Sequence, residues 1–144
     1  MSLVYFDSSA LVKLVVEEKG SDVASALWDG CDAALSSRLA HPEVCAALAA
    51  AHRNHDLDED GFAAAARDWA EFWAALRPVE LTRDVERRAG DLARRRVLRG
   101  ADAVHLASAL AIEAQDLVVA VWDRRLHDGA TAEQLMVAPA ALPR

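Results

Sequence analysis

"LVYFDSSALVKL", residues 3–14, runs four apolar residues into an aspartate and two serines before the apolar pattern returns. A short apolar run bounded by polar groups reads as a buried strand. Leu11, Leu14 and Val15 then read as a helix that ends near Gly20. Asp7 stands where the chain leaves the strand and enters the helix. Two explanations fit such an acid. It is the helix N-cap, or it lies at the open end of a buried strand, where parallel sheets collect their ligands.

The remaining chain repeats this alternation. Ala33 to Ser36, "PVEL" at 78–81, Leu117 to Trp122 and "LMVA" at 135–138 read as strands. Helices are expected over 21–30 with Ser21 as cap, from Pro42 to about Arg53, and over 57–76, where Phe62, Trp69, Phe72, Trp73 and Leu76 recur at helical spacing. Trp69 and Trp73 read as core. An arginine-rich helix capped by Thr82 and broken by Gly100 follows, then a helix from about Asp102 to Ala114. Short apolar strands separated by helices imply parallel pairing and a sheet covered on both faces. The expected architecture is a single three-layer α/β/α domain over residues 1–144.

Composition sets outer bounds. With 53% hydrophobic and 27% charged residues the chain is globular. No basic segment leads into an apolar leader, and no apolar run approaches the length of a bilayer span, so a cytoplasmic location with no membrane partner is expected. Cys31 and Cys45 lack the spacing of a disulfide framework or zinc knuckle, and Cys45 is expected to pack as a small apolar group. The net charge of −7 argues against a nucleic-acid partner on its face. Its distribution is uneven, however. Between Arg77 and Arg99 eight arginines face four acids, a segment that is either a phosphate-meeting patch or a solvated helix face.

Four carboxylates attract attention. Asp7 follows "LVYF" and Asp123 follows "LVVAVW", each the first charged group after an apolar run, and each a possible N-cap. Glu43 has Ala46, Ala47 and Ala50 at helical spacing, which places it on an apolar face. Asp102 opens "ADAVHLASAL" with Leu106 and Ala109 on its own face, and it too could cap a helix. No equally convincing basic partner accompanies any of the four. If they converge they repel one another, and a hard dication resolves the conflict. Oxygen-only donors favour Mg²⁺ or Mn²⁺.

These segments, in this order, resemble the PIN domains, and most closely the VapC-type toxins of bacterial toxin–antitoxin pairs. "YFDSSALVKL" resembles the family's opening strand and acid, "HPEVCAAL" its helical glutamate segment, "ADAVHLASAL" its third-acid motif and "VVAVWDRRL" its last strand and acid. The resemblance implies a sheet of about five parallel strands flanked by helices and a metal-dependent endoribonuclease. It also implies a homodimer neutralised by an antitoxin. Asp7, Glu43, Asp102 and Asp123 are then the acidic, metal-holding cluster, and Ser9 a hydroxyl that bonds a metal water or a neighbouring carboxylate. His105 is expected to pack near the site. Val121 departs from the pattern, which often has threonine two residues before the last acid, and this puts the orientation of Asp123 in question.

Other strand-end acids do different chemistry. An aspartyl phosphatase of the familiar pattern needs a second aspartate where Ser9 stands, and a phospho-acceptor receiver domain wants an acidic pair at its first strand. The contrasting class is a PIN-like module that binds RNA or protein without cleaving.

Overall fold

The structure, a computed structural model, describes residues 1–143. Five strands form one sheet: β1 (Leu3–Phe6), β2 (Ala33–Ser37), β3 (Arg77–Val79), β4 (Val118–Ala120) and β5 (Met136–Ala138). All four pairings are parallel, and the strand order is β3-β2-β1-β4-β5. Seven helices complete the described chain: α1 (Ser8–Val15), α2 (Ser21–Gly30), α3 (Ala40–Arg53), α4 (Glu59–Ala75), α5 (Arg83–Arg95), α6 (Gly100–Ala111) and α7 (Arg124–Ala132).

Strand alternation divides the core into two layers. Val4 and Phe6 project to the side where Ala10, Leu11, Val44, Leu48, Ala65 and Trp69 pack, which is the layer of α1, α3 and α4. Tyr5 projects the other way, among Val85, Leu92, Leu106 and Leu126 of α5, α6 and α7. The expected three-layer α/β/α arrangement is therefore observed. Trp69 is buried, and its indole Nε1 donates to His41 Nδ1 at 3.2 Å.

Strand order reverses at β1. The chain moves from β1 to β2 and β3 on one side, then crosses to β4 and β5 on the other. Crevices at such switch points, beyond the carboxyl ends of the strands, are where open parallel sheets bind ligands. The ladder continues to this edge, since the Asp7 N–H donates to the Ala120 carbonyl at 3.1 Å.

Several local expectations change. Ser21 does not cap α2. Gly20 holds that position at φ +96°, and Ser21 is the first helical residue, its hydroxyl donating to the Val16 carbonyl at 3.0 Å. The arginine-rich helix breaks at Val97, in the left-handed region at φ +54°, and Gly100 begins α6 instead. Asp102 consequently lies inside the first turn of α6, and Arg99 occupies the N-cap position. The third strand begins one residue early, at Arg77, and ends at Val79. Cys45 is exposed rather than packed, with Sγ 3.7 Å from His41 Nε2. Ala46 and Ala47 are also exposed, because the buried stripe of α3 runs through Ala40, Val44 and Leu48. Among the described residues no helix is long and apolar enough to cross a membrane.

Candidate active site

Asp7 is both the N-cap and the strand-end acid. Its Oδ1 accepts the Ala10 N–H at 2.9 Å and the Ser9 hydroxyl at 2.6 Å. Ser9 Oγ in turn accepts the Trp122 N–H at 3.2 Å, tying the end of β1 to the segment that leads to Asp123. Asp7 Oδ2 has no hydrogen bond among the described residues. The side chain is only 3% exposed, and burial pushes its pKa from 3.8 up to about 6. The His105 ring, the Ser9 hydroxyl and the Ala10 N–H pull it back, while the Asp123 charge adds to the rise.

Asp123 repeats the arrangement at the neighbouring strand. It caps α7, with Oδ1 accepting the Leu126 N–H at 3.0 Å. That cap orients the carboxylate without a hydroxyl at position 121. Val121 is fully buried in the α5–α7 core layer and contributes packing there.

Asp102 is half-buried in the first turn of α6, and its carboxylate makes no hydrogen bond among the described residues. Its pKa is raised, first by burial and then by the Asp123 charge, with Glu43 adding to the rise and His105 and Arg99 opposing it. Glu43 sits in the first turn of α3. Burial pushes it up, but the hydrogen bonds from His105 and Ser8 outweigh that and hold it below the usual carboxylate range. Its Oε1 receives the Ser8 hydroxyl at 2.7 Å and lies 2.6 Å from His105 Nε2.

The Asp123 charge therefore acts on both Asp7 and Asp102, and the Glu43 charge on Asp102, which brings acids from the ends of β1 and β4 and from α3 and α6 within electrostatic reach of one another. Among the described residues no three His, Cys, Asp or Glu side chains are closed into a group that would hold an ion by themselves. The donor set nevertheless fits Mg²⁺ or Mn²⁺. It is all oxygen, it repels itself, and Mg²⁺ is commonly held by one or two carboxylates with waters filling the other positions.

Two residues carry more of this site than sequence reasoning assigned. His105 is 2% exposed and bonds Tyr5, Ser8 and Glu43. Ser8, rather than Ser9, supplies the hydroxyl on Glu43. The three-residue spacing of Asp102 and His105 on one helix was the available signal.

Comparison with known proteins adds a family. A family model described as "PIN domain" matches residues 4–130. The chain is 71% identical over 142 residues to ribonuclease VapC45 of Mycobacterium tuberculosis (strain CDC 1551 / Oshkosh), an alignment covering 99% of each chain. Identity and coverage are the same for ribonuclease VapC49 of Mycobacterium tuberculosis (strain ATCC 25618 / H37Rv). Among solved structures, a chain of a toxin–antitoxin complex from Klebsiella pneumoniae shares the fold, with a TM-score of 0.67 at 17% identity over 99% of this chain and 100% of that one.

Proposed function

The chain belongs to the PIN-domain family, among its VapC-type members, and from that premise we propose that it is a metal-dependent endoribonuclease, the toxin of a toxin–antitoxin pair. The observation that carries this reading is that Asp7 and Asp102 are both raised, by burial and by the Asp123 charge, with separate elements delivering these acids beside the switch point of the sheet. The names of the relatives supply the substrate class, RNA.

Asp7 and Asp102 are the residues that would hold the cation directly or through water, with Glu43 and Asp123 holding its waters or a second ion. Mg²⁺, or Mn²⁺ in its place, supplies Lewis-acid stabilisation of the phosphate and a more acidic water. The protein does the rest. Ser9 and the Ala10 N–H immobilise one oxygen of Asp7, the α7 cap does the same for Asp123, and Ser8 and His105 fix Glu43. Each of these acids thereby keeps an oxygen without a partner among the described residues. Glu43 or Asp123 orients the attacking water.

Arg124 and Arg125, beside Asp123 in sequence, are the nearer candidates to meet the RNA backbone, although Arg124 Nη2 also donates to the Pro143 carbonyl at 2.5 Å. Arg95 and Arg96 are committed to Glu133, at 3.0 and 2.5 Å. Residues 1–144 act as one domain in the cytoplasm, as a homodimer bound by an antitoxin; the complex in which the Klebsiella pneumoniae chain was solved supports the antitoxin partner.

RNA cleavage by the purified protein tests the reading. Cleavage is expected with Mg²⁺ or Mn²⁺, and EDTA is expected to abolish it. In a folded Asp7→Asn variant it should fall by more than about 100-fold, beyond the usual cost of disturbing a metal's outer partners. Undiminished cleavage in that variant would remove the mechanism. Metal-independent RNA binding without cleavage would identify a binding module instead.

A further inference from the structure

A buried hydrogen-bond chain enters the site from the core. Tyr5 is fully buried, and its hydroxyl shares a 2.8 Å hydrogen bond with His105 Nδ1. The rings meet edge to face, with centroids 5.9 Å apart and planes at 78°. On the opposite side of the imidazole, Nε2 lies 2.6 Å from Glu43 Oε1.

The polarity of this chain follows from its ends. An ionised carboxylate only accepts, so Nε2 carries the proton it donates. A neutral imidazole has one N–H, and the hydrogen bond at its other nitrogen decides where that proton sits. The Tyr5 hydroxyl, donating to Nδ1, keeps the proton on Nε2 and therefore on the Glu43 side. With His105 only 2% exposed, bulk water has little access to replace that hydroxyl.

We infer that Tyr5 and His105 are positioning residues for the proposed metal site: the phenol sets the imidazole tautomer, and the imidazole holds Glu43 by Oε1 so that Oε2 is presented for the cation and its waters. This rests on Glu43 belonging to that site. Neither residue touches substrate or cation; both act through Glu43.

The test uses Mn²⁺ alone, titrated calorimetrically into the full chain at pH 7.5 without RNA. Tyr5→Phe and His105→Leu are expected to weaken Mn²⁺ binding by about 10-fold or more, the usual cost of losing such a supporting partner. His105→Gln keeps an N–H donor near the Nε2 position and should recover most of the affinity. In parallel, ¹⁵N spectra of the metal-free wild type should show a protonated Nε2 on His105. Wild-type affinity in Tyr5→Phe and His105→Leu would overturn the inference. So would a glutamine variant no better than leucine, or a neutral wild-type ring protonated on Nδ1, a readout that stands even if a variant fails to fold. Wild type that binds no Mn²⁺ defeats the metal-site reading itself. Wild type that binds alongside variants that bind equally well defeats only the positioning role.

Discussion

Ser9 Oγ donates to Asp7 Oδ1 at 2.6 Å while accepting the Trp122 N–H at 3.2 Å, so one hydroxyl links the acid at the end of β1 to the chain leaving β4. Ser9→Ala strands the Trp122 amide and removes one of the hydrogen bonds that stabilise ionised Asp7. A loss of about 1–2 kcal/mol is expected on chemical denaturation. Carboxyl ¹³C titration should show the Asp7 midpoint moving further above about 6.

Asp7 also sets a pH dependence. Its folded pKa of about 6 exceeds the ordinary 3.8, so the folded state holds the proton more tightly than the unfolded chain. Its contribution to stability is fully present below about pH 3.8 and is lost as pH rises through about 6. Asparagine keeps the cap and the acceptor for Ser9 but carries no charge. Metal-free Asp7→Asn is therefore expected to be more stable than metal-free wild type at pH 7.5, by roughly 1–3 kcal/mol, and to lose that advantage near pH 4. Thermal melts of both proteins across this range provide the check. An asparagine variant that is less stable at pH 7.5 would contradict the burial cost assigned to Asp7.

Protons and cations compete for the same carboxylate. Mn²⁺ affinity of the wild type should accordingly rise steeply between pH 5 and 7, about the Asp7 pKa of about 6. A pH-independent affinity over that interval would place binding elsewhere.

Val121 occupies a fully buried position in the α5–α7 layer. Val121→Thr introduces a hydroxyl into that packing and is expected to cost about 1–3 kcal/mol unless the hydroxyl finds a partner. No gain in RNA cleavage is expected, because the Leu126 N–H already orients Asp123.

Gly20 precedes α2 at φ +96°, and a Cβ there would lie 2.8 Å from Trp122 Nε1. Gly20→Ala combines backbone strain with a clash against the residue preceding Asp123. A loss of about 1–3 kcal/mol is expected in equilibrium unfolding.

Much of this arrangement was legible in the sequence because strands, caps and acids coincide. Asp7 and Asp123 each end an apolar run, and the property that makes them N-caps also holds them at the strand ends. The setting of Glu43 differs from the apolar face that its helical neighbours suggest. Ala46 and Ala47 face solvent, and its half-buried setting comes instead from Ser8 and His105. Helix periodicity does not reveal such a partner, since His105 lies 62 positions away in sequence from Glu43. The break at Val97 was equally hidden, because a β-branched residue is an unexpected choice for the left-handed region. Leu98, beside it, packs into the core layer of α5–α7.

The central claim is that the acids at the ends of β1 and β4, with those of α3 and α6, jointly hold a hard dication. Anomalous scattering from crystals soaked in Mn²⁺ addresses it directly. The expected result is a peak about 2 Å from a carboxylate oxygen of Asp7 or Asp102, bordered by Glu43 and Asp123, and absent from Asp7→Asn crystals soaked identically. Mn²⁺ that supports RNA cleavage while occupying only positions remote from these four side chains would contradict the account.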